Sequence, residues 1–135
     1  MGLHHVEIWV PDLAGAVARW GWLFDRLGRA AYQQWNAGRS WREPDSRVYV
    51  VLEQSPALGH RRRHERTHPG LNHLAFRAGP RSRVDALARE APHRGWSLMF
   101  PDRHPYAGGS GHYAAYLEDA DGYEVELVAD DDDGR

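Results

Sequence analysis

The sequence contains no cysteine and no lysine, and all of its 17 basic residues are arginine. Without thiols the chain has no disulfide, no cysteine nucleophile and no thiolate metal ligand. Without lysine it cannot form a Schiff base with a carbonyl substrate. A bound metal ion would therefore have to be held by histidine, aspartate or glutamate.

Long apolar runs and a strong net charge are also missing. No stretch approaches the ~20 apolar residues that span a bilayer, and the start of the chain lacks the pattern of a signal peptide. The net charge is −2, so nothing global favours nucleic acid. The one basic run, 60–66, could bind an anion, but a solvated loop is favoured because no aromatic residues interleave it. We therefore expect a cytoplasmic protein with no membrane or nucleic-acid partner.

The most informative feature of the sequence is an internal repeat. The segment Leu3–Ile8 recurs as Leu71–Phe76, at an offset of 68 residues, and each copy carries a histidine at the same place, His5 and His73. A chain of 135 residues with a half-length repeat indicates two copies of one supersecondary unit. Two units that each present a histidine can build one metal site.

Periodicity predicts the α+β class, with two tandem βαβββ modules that form curved mixed sheets around a cavity and carry their helices on the outer face. We expect one domain, 1–135, made of modules 1–54 and 71–129, a linker 55–70 and an acidic tail 130–135. The first helix should follow the N-cap Asp12 and close at Gly28, and the second should follow Pro80 and end at Gly95. The expected strands are 3–10, 31–35, 39–42, 47–54, 71–78, 96–100, 112–118 and 123–129, with a tight turn at 119–122.

Strand alternation assigns the side chains to two faces. The apolar positions should face the helices. The opposite face should line a cavity, because it collects many polar side chains: His5, Glu7, Trp9, Tyr49, Val51, Glu53, His73, Ala75, Arg77, His112, Tyr116, Glu118, Glu124 and Glu126. His4 falls on the helix side, and we expect it to be a hydrogen-bonded core residue.

Three segments, 3–13, 69–77 and 116–128, together with this layout, resemble the vicinal oxygen chelate superfamily. That superfamily includes glyoxalase I, fosfomycin-modifying enzymes, extradiol dioxygenases and bleomycin-resistance proteins. The resemblance implies a divalent metal ion held by His5, His73 and Glu126. Two histidines and one carboxylate suit Fe or Mn, and Zn and Ni remain alternative metal ions. Glu53 is a candidate fourth ligand, because strand alternation places it on the cavity face. The repeat, however, places Val51 and not Glu53 at the position equivalent to Glu126.

The resemblance also implies that the metal binds two neighbouring oxygens of a small molecule. Trp9 stands where glyoxalase I has a glutathione-binding arginine, and Glu7 stands where fosfomycin enzymes have a threonine. Two reactions remain open. One is proton transfer of the lyase or isomerase type, with Glu53 or Glu7 as the base. The other is extradiol ring cleavage assisted by Tyr116, ten residues before Glu126.

Proton transfer is slightly favoured, because Tyr116 lacks the dioxygenases' usual histidine partner and His112 is only a loose substitute. The candidate substrate-binding residues are Trp9, Tyr49, Arg77 and His112. The rival interpretation is a metal-free protein that sequesters an antibiotic on Trp9, Trp35 and Trp41. We expect a homodimer, because members of this superfamily commonly pair modules between chains and symmetric dimers are the commonest oligomers.

Overall fold

Each half of the chain folds as one four-stranded mixed sheet with one main helix. The computed structural model describes residues 1–130, so the predicted tail lies outside the described residues apart from Asp130. Two units are distinct: unit 1 is Met1–Arg63, and unit 2 begins at His64. The boundary between them falls inside the segment 55–70.

Unit 1 contains one helix and four strands in the order β1-β4-β3-β2. β1 and β4 are parallel, and the other neighbouring pairs are antiparallel. The elements are β1 (His5–Trp9), α1 (Leu13–Arg26), β2 (Ala30–Trp35), β3 (Gly38–Arg42) and β4 (Tyr49–Glu53).

Unit 2 repeats this topology in the order β5-β8-β7-β6, again with one parallel pair, β5 and β8. Its elements are β5 (His73–Arg77), α2 (Arg81–Glu90), a 3₁₀ helix (Ala91–Arg94), β6 (Trp96–Leu98), β7 (Ala114–Asp119) and β8 (Glu124–Val128). The predicted α+β class and the tandem βαβββ layout are confirmed.

The core of each unit lies between its helix and its sheet. In α1 the buried residues recur at helical spacing, and the helix contacts β3 and β4. The largest fully buried side chains in the two units are Trp20, Phe24, Leu23, Leu52, Leu87, Leu117, Leu127, Val10, Val84 and Val125. Burying each such side chain stabilises the fold by roughly 1.5–3 kcal/mol, which fixes the helix-facing side of both sheets.

The helix ends differ in detail from the expectation. Asp12 occupies the N-cap position of α1, but its side chain makes no capping hydrogen bond. The amide oxygen of Gln54, just past β4, instead accepts from the Leu13 N–H at 2.7 Å. Gly95, with φ 87°, ends the second helical segment, as predicted, and Pro92 leaves its last turn in 3₁₀ form.

The turn between β7 and β8 was predicted and is confirmed. The Asp119 Oδ1 atom accepts the backbone N–H groups of Asp121 and Tyr123, each at 3.0 Å. Gly122 has φ 89°, a conformation that glycine adopts without strain. This turn sets the β7–β8 register, which pairs Tyr116 with Glu126.

Within residues 1–130, no helix is both long enough and apolar enough to cross a membrane.

Candidate functional site

The strand registers establish which positions of the two sheets correspond. Glu7 of β1 lies opposite Val51 of β4, and Ala75 of β5 lies opposite Glu126 of β8. Val51 is therefore the structural counterpart of Glu126, as the repeat alignment predicted. Unit 1 carries a buried valine where unit 2 carries a carboxylate.

In unit 2, polar side chains converge on Glu126, whose own side chain is only 7% exposed. Its Oε1 atom lies 3.0 Å from Nε2 of His73. Its Oε2 atom contacts Nε2 of His112. On the neighbouring strand, Tyr116 lies directly opposite in register. The structure thus brings three predicted site residues around the carboxylate of a fourth, Glu126.

His112 reaches this cluster by a route that the sequence did not predict. The expected strand 112–118 begins only at Ala114, so the parity argument does not apply to His112. Its N–H donates to the Gly109 carbonyl at 3.1 Å, and the Ala114 N–H donates to the Pro105 carbonyl. These bonds hold the end of the loop in a turn and out of the strand ladder, so His112 approaches Glu126 from the loop.

Tyr116 is packed by three neighbours. Its ring meets the rings of His73 and Phe100 edge-on, at centroid distances of 6.1 and 5.8 Å. A Cβ atom added to Gly108 would lie 2.5 Å from the Tyr116 hydroxyl and 2.8 Å from Cδ2 of His112. Only a residue without a side chain allows the loop to approach this closely, so both side chains meet above Gly108.

The environment of Tyr116 makes its phenol harder to ionise than that of an ordinary tyrosine. Burial, the charge of Glu126 and a hydrogen bond to that carboxylate raise the pKa of Tyr116 to about 12, and Glu124 adds to the rise. A neutral phenol next to a carboxylate can donate a hydrogen bond or a proton to an oxygen atom bound beside it.

Glu124 lies two residues before Glu126 on the same strand and is also buried. Its Oε1 atom lies 3.3 Å from Nε of Arg66, yet it makes no well-formed hydrogen bond. Burial raises the pKa of the Glu124 carboxyl, Glu118 and Glu126 raise it further, and the charges of Arg66 and His73 oppose the rise. Arg66 therefore offsets part of the negative charge at this side of the cluster.

In unit 1 the corresponding face is aromatic. The ring of His5 stacks on that of Tyr49 at 4.9 Å and 7°, and Tyr32 meets Tyr49 edge-on at 5.3 Å. His4 is exposed and bonds to His5 through their Nδ1 atoms at 2.9 Å. The expectation that His4 is a core residue is wrong, because it precedes the strand and no helix covers it.

The remaining candidates of unit 1 lie further along the same strands. The indole Nε1 of Trp9 donates to Glu7 Oε2 at 2.7 Å, and Glu53 lies opposite Trp9 in register. Arg77, at the end of β5 in unit 2, is exposed.

Unit 1 also has a cavity on its helix side. Its volume is about 690 Å³, and its lining residues are Leu13, Ala14, Val17, Gln34, Trp35, Asn36 and Arg39. Trp35 is 37% exposed, whereas Trp41 is only 7% exposed and packs on Phe24. Trp41 belongs to the core, so the expectation that it offers a stacking surface is wrong.

The donor atoms around Glu126 are chemically suited to a divalent cation. Among residues 1–130, no three His, Asp or Glu side chains are placed so as to hold a metal ion together, so the set His5, His73 and Glu126 stays a prediction. His73 and Glu126 do present an imidazole nitrogen and a carboxylate oxygen to each other. These two atoms attract only with a proton or a metal ion between them, and both are ordinary ligands of Fe, Mn, Zn and Ni.

The fold and this arrangement of residues define a glyoxalase-like protein. The chain belongs to the glyoxalase/bleomycin resistance protein/dioxygenase superfamily, whose family model matches residues 4–116. It is 41% identical over 127 residues to the uncharacterised protein YqjT of Bacillus subtilis, covering 94% of this chain and 98% of that one.

Solved structures agree with this assignment. A crystal structure from Bacillus halodurans, provisionally described as a glyoxalase, is 41% identical and superposes with a TM-score of 0.88 over 95% of each chain. The fosfomycin resistance protein FosX of Listeria monocytogenes, crystallised with Mn(II) and sulfate, is 17% identical, with a TM-score of 0.63 over 95% of this chain and 89% of that one. At that identity FosX supports the fold alone.

Proposed function

We propose that this protein is a divalent-metal-dependent enzyme that acts on a small molecule with two neighbouring oxygen atoms. The observation that carries the proposal is the buried carboxylate of Glu126, whose two oxygens contact His73 and His112 respectively. A buried carboxylate needs strong compensation, and two imidazoles beside it make a suitable half-site for a metal. The Mn(II) in the structurally similar FosX is consistent with this chemistry.

In this proposal His73 and Glu126 are metal ligands, and His5 is the predicted third. When bound, the metal supplies a Lewis acid that stabilises negative charge on the substrate oxygens. Tyr116 and His112 lie beside Glu126 and are positioned to contact a substrate oxygen. Tyr116 holds its proton at neutral pH, so it acts as a hydrogen-bond or proton donor.

The geometry bears on which reaction is catalysed. The sequence counted against ring cleavage because Tyr116 lacked the usual histidine partner. In the structure, His112 and the hydroxyl of Tyr116 both lie next to Gly108. The candidate base Glu7 accepts a hydrogen bond from Trp9. Tyrosine-assisted chemistry is therefore at least as well supported as proton transfer by Glu53 or Glu7.

An oxygen electrode separates the two reactions. The protein is loaded with Fe²⁺ and given a panel of catechols, with the metal-free protein as the control. Oxygen uptake that requires iron and is lost in Tyr116→Phe identifies a dioxygenase. Turnover of α-hydroxy carbonyl compounds without oxygen uptake, lost in Glu53→Gln but not in Tyr116→Phe, identifies proton-transfer chemistry.

A second candidate function is sequestration of an antibiotic without metal. It is favoured by the cavity of about 690 Å³ on unit 1, which offers the Trp35 ring beside Arg39 and Gln34. Pockets of this size hold drug-sized molecules. Bleomycin binding by EDTA-treated protein that is lost in Trp35→Ala would support it, and absence of binding would remove it.

A further inference from the structure

We propose that unit 1 packs the aromatic ring of the substrate against Tyr49 and Tyr32 and pairs an anionic group of the substrate with Arg42. The substrate is then a planar aromatic compound whose anionic group lies at the far end from its two neighbouring oxygens. The inference deepens the proposed function, and rests on it only for the position of those oxygens, at a metal held by His5. Sequence reasoning did not single out Tyr32 or Arg42.

The strand registers place these side chains in one row. His5 of β1 lies opposite Tyr49 of β4, and Tyr49 lies opposite Arg42 of β3. Residues that lie opposite each other in a ladder point to the same face of the sheet. Since neighbouring strands are about 4.8 Å apart, the strands that carry His5 and Arg42 are separated by roughly 10 Å. An aromatic ring with a short side chain spans such a distance.

Ring contacts make the row a continuous surface. Tyr49 lies between the ring of His5, which stacks on it, and the ring of Tyr32, which meets it edge-on. The guanidinium of Arg42 then lies over the ring of Tyr32, 4.8 Å from its centroid. A guanidinium stacked on a ring keeps its N–H donors at its edge, where they can pair with a carboxylate. The row is therefore an aromatic surface that ends in a positive charge.

The charge of Arg42 is available to a ligand. Across residues 1–130, no aspartate or glutamate forms an ion pair with Arg42. Glu43, its neighbour in the chain, instead accepts from Arg29 at 2.8 Å and from the hydroxyl of Ser46 at 2.7 Å. Arg42 is itself exposed, and Tyr32 is 46% exposed. An anionic group can therefore reach the guanidinium without displacing an existing partner.

The β3–β4 turn offers space for that anionic group. A cavity of about 350 Å³ lies there, and its lining residues are Arg42, Pro44, Asp45, Ser46 and Arg47. Two arginines against one aspartate leave the lining with a net positive charge. Such a cavity favours a ligand that carries a negative charge at this end.

The second copy of the sheet has the opposite chemistry along the same row. In unit 2, His73 lies opposite Glu124, and Glu124 lies opposite Glu118. The repeat therefore sets a glutamate where unit 1 has Tyr49, and a second glutamate where unit 1 has Arg42. Because both copies form the same ladder, the sheet itself does not require a tyrosine and an arginine at these positions. A role in binding accounts for them.

The test compares two ligands that differ only in charge. They are dihydrocaffeate, a catechol with a short carboxylate side chain, and its uncharged methyl ester. Calorimetry measures the affinity of the full-length protein for each, without metal and after loading with Mn²⁺. The variants are Arg42→Gln, which removes the charge, and Tyr49→Leu, which removes the ring. The control Arg89→Gln removes the same charge from an exposed position of α2, and circular dichroism confirms that each variant is folded.

We expect wild type and Arg89→Gln to bind the acid at least about tenfold more tightly than the ester, as a hydrogen bond between charged groups provides. In Arg42→Gln the two affinities should become nearly equal. Tyr49→Leu should weaken both ligands alike, by roughly 2- to 10-fold. Equal affinity of wild type for acid and ester, binding of neither, or a preference that survives in Arg42→Gln would overturn the inference.

The metal tests the proposed function separately. If wild type takes up no Mn²⁺, the proposed function fails, while the measurements without metal still decide the role of Arg42.

Discussion

Glu126 and Val51 occupy the same strand position in two copies of one sheet. Glu126 lies between Tyr116 and Ala75 in register, and Val51 lies between Ser40 and Glu7. Both side chains are buried, and in unit 2 the imidazoles of His73 and His112 contact the carboxylate. The two copies of the sheet therefore differ at this position: unit 2 carries a buried acid, and unit 1 carries a buried valine.

Replacing Tyr116 by phenylalanine should lower kcat by a factor of about 10² or more, because the ring remains while the proton donor is lost. Metal binding should be unchanged, because the ligands and their packing persist. Steady-state kinetics on the substrate identified by the panel, together with metal analysis, measure both. Full activity in this variant would remove the Tyr116 hydroxyl from the mechanism.

Replacing Gly108 by alanine should displace both Tyr116 and His112, because the new Cβ would lie 2.5 and 2.8 Å from their atoms. We expect a loss of roughly 1–3 kcal/mol in the free energy of unfolding from overpacking, together with reduced activity. Gly111→Ala in the same loop is the matched control, since nothing lies within 4 Å of its added Cβ. Denaturant melts in which the two variants behave alike would contradict the close approach at Gly108.

Alkaline titration should show three tyrosines that ionise well above the ordinary pKa of 10. Tyr113, whose hydroxyl donates to Asp85 at 2.6 Å, and the two tyrosines at 116 and 123 have pKa values raised to about 12. For Tyr123 the largest cause is burial, followed by Asp119 and Asp121.

These shifts predict how stability depends on pH. The unfolded chain releases such protons near the ordinary pKa of 10, whereas the folded protein holds them to about 12. The contribution of these three phenols to the free energy of unfolding should therefore be fully present below pH 10 and be lost as pH rises toward 12. Tyr123→Phe should make this decline shallower. Ionisation of Tyr113, Tyr116 and Tyr123 near pH 10 would show that the shifts are absent.

The protein should be a homodimer. β2 is an edge strand of unit 1, all six of its residues are exposed, and exposed edges of this kind invite pairing with a second copy. Light scattering at micromolar concentration should give twice the mass of the chain, and a monomer mass would count against the prediction. A proline in place of Gln34, within β2, should weaken a dimer that uses this edge.

Much of this arrangement could be predicted from the sequence, because alternation and the repeat are local signals. Parity placed His73, Tyr116 and Glu126 on one face, and the structure brings them together. Strand alternation also placed His112 on that face, but β7 begins only at Ala114. His112 reaches Glu126 from the preceding loop instead. Strand ends depend on tertiary hydrogen bonds that no local pattern encodes.

The errors have the same origin. Trp41 was expected to offer a stacking surface, but its large ring packs on Phe24 of α1. Parity was extended to His4 and placed it in the core, but His4 precedes β1 and is exposed.

The central claim, a metal ion held by His73 and Glu126, is tested most directly by metal content. Wild type, His73→Ala and Glu126→Gln are each incubated with excess Mn²⁺, desalted and assayed by plasma mass spectrometry, with circular dichroism to confirm folding and His5→Ala to test the predicted third ligand. The account predicts about one metal per chain in wild type and almost none in the folded His73 and Glu126 variants. Equal metal content in wild type and both variants would contradict it.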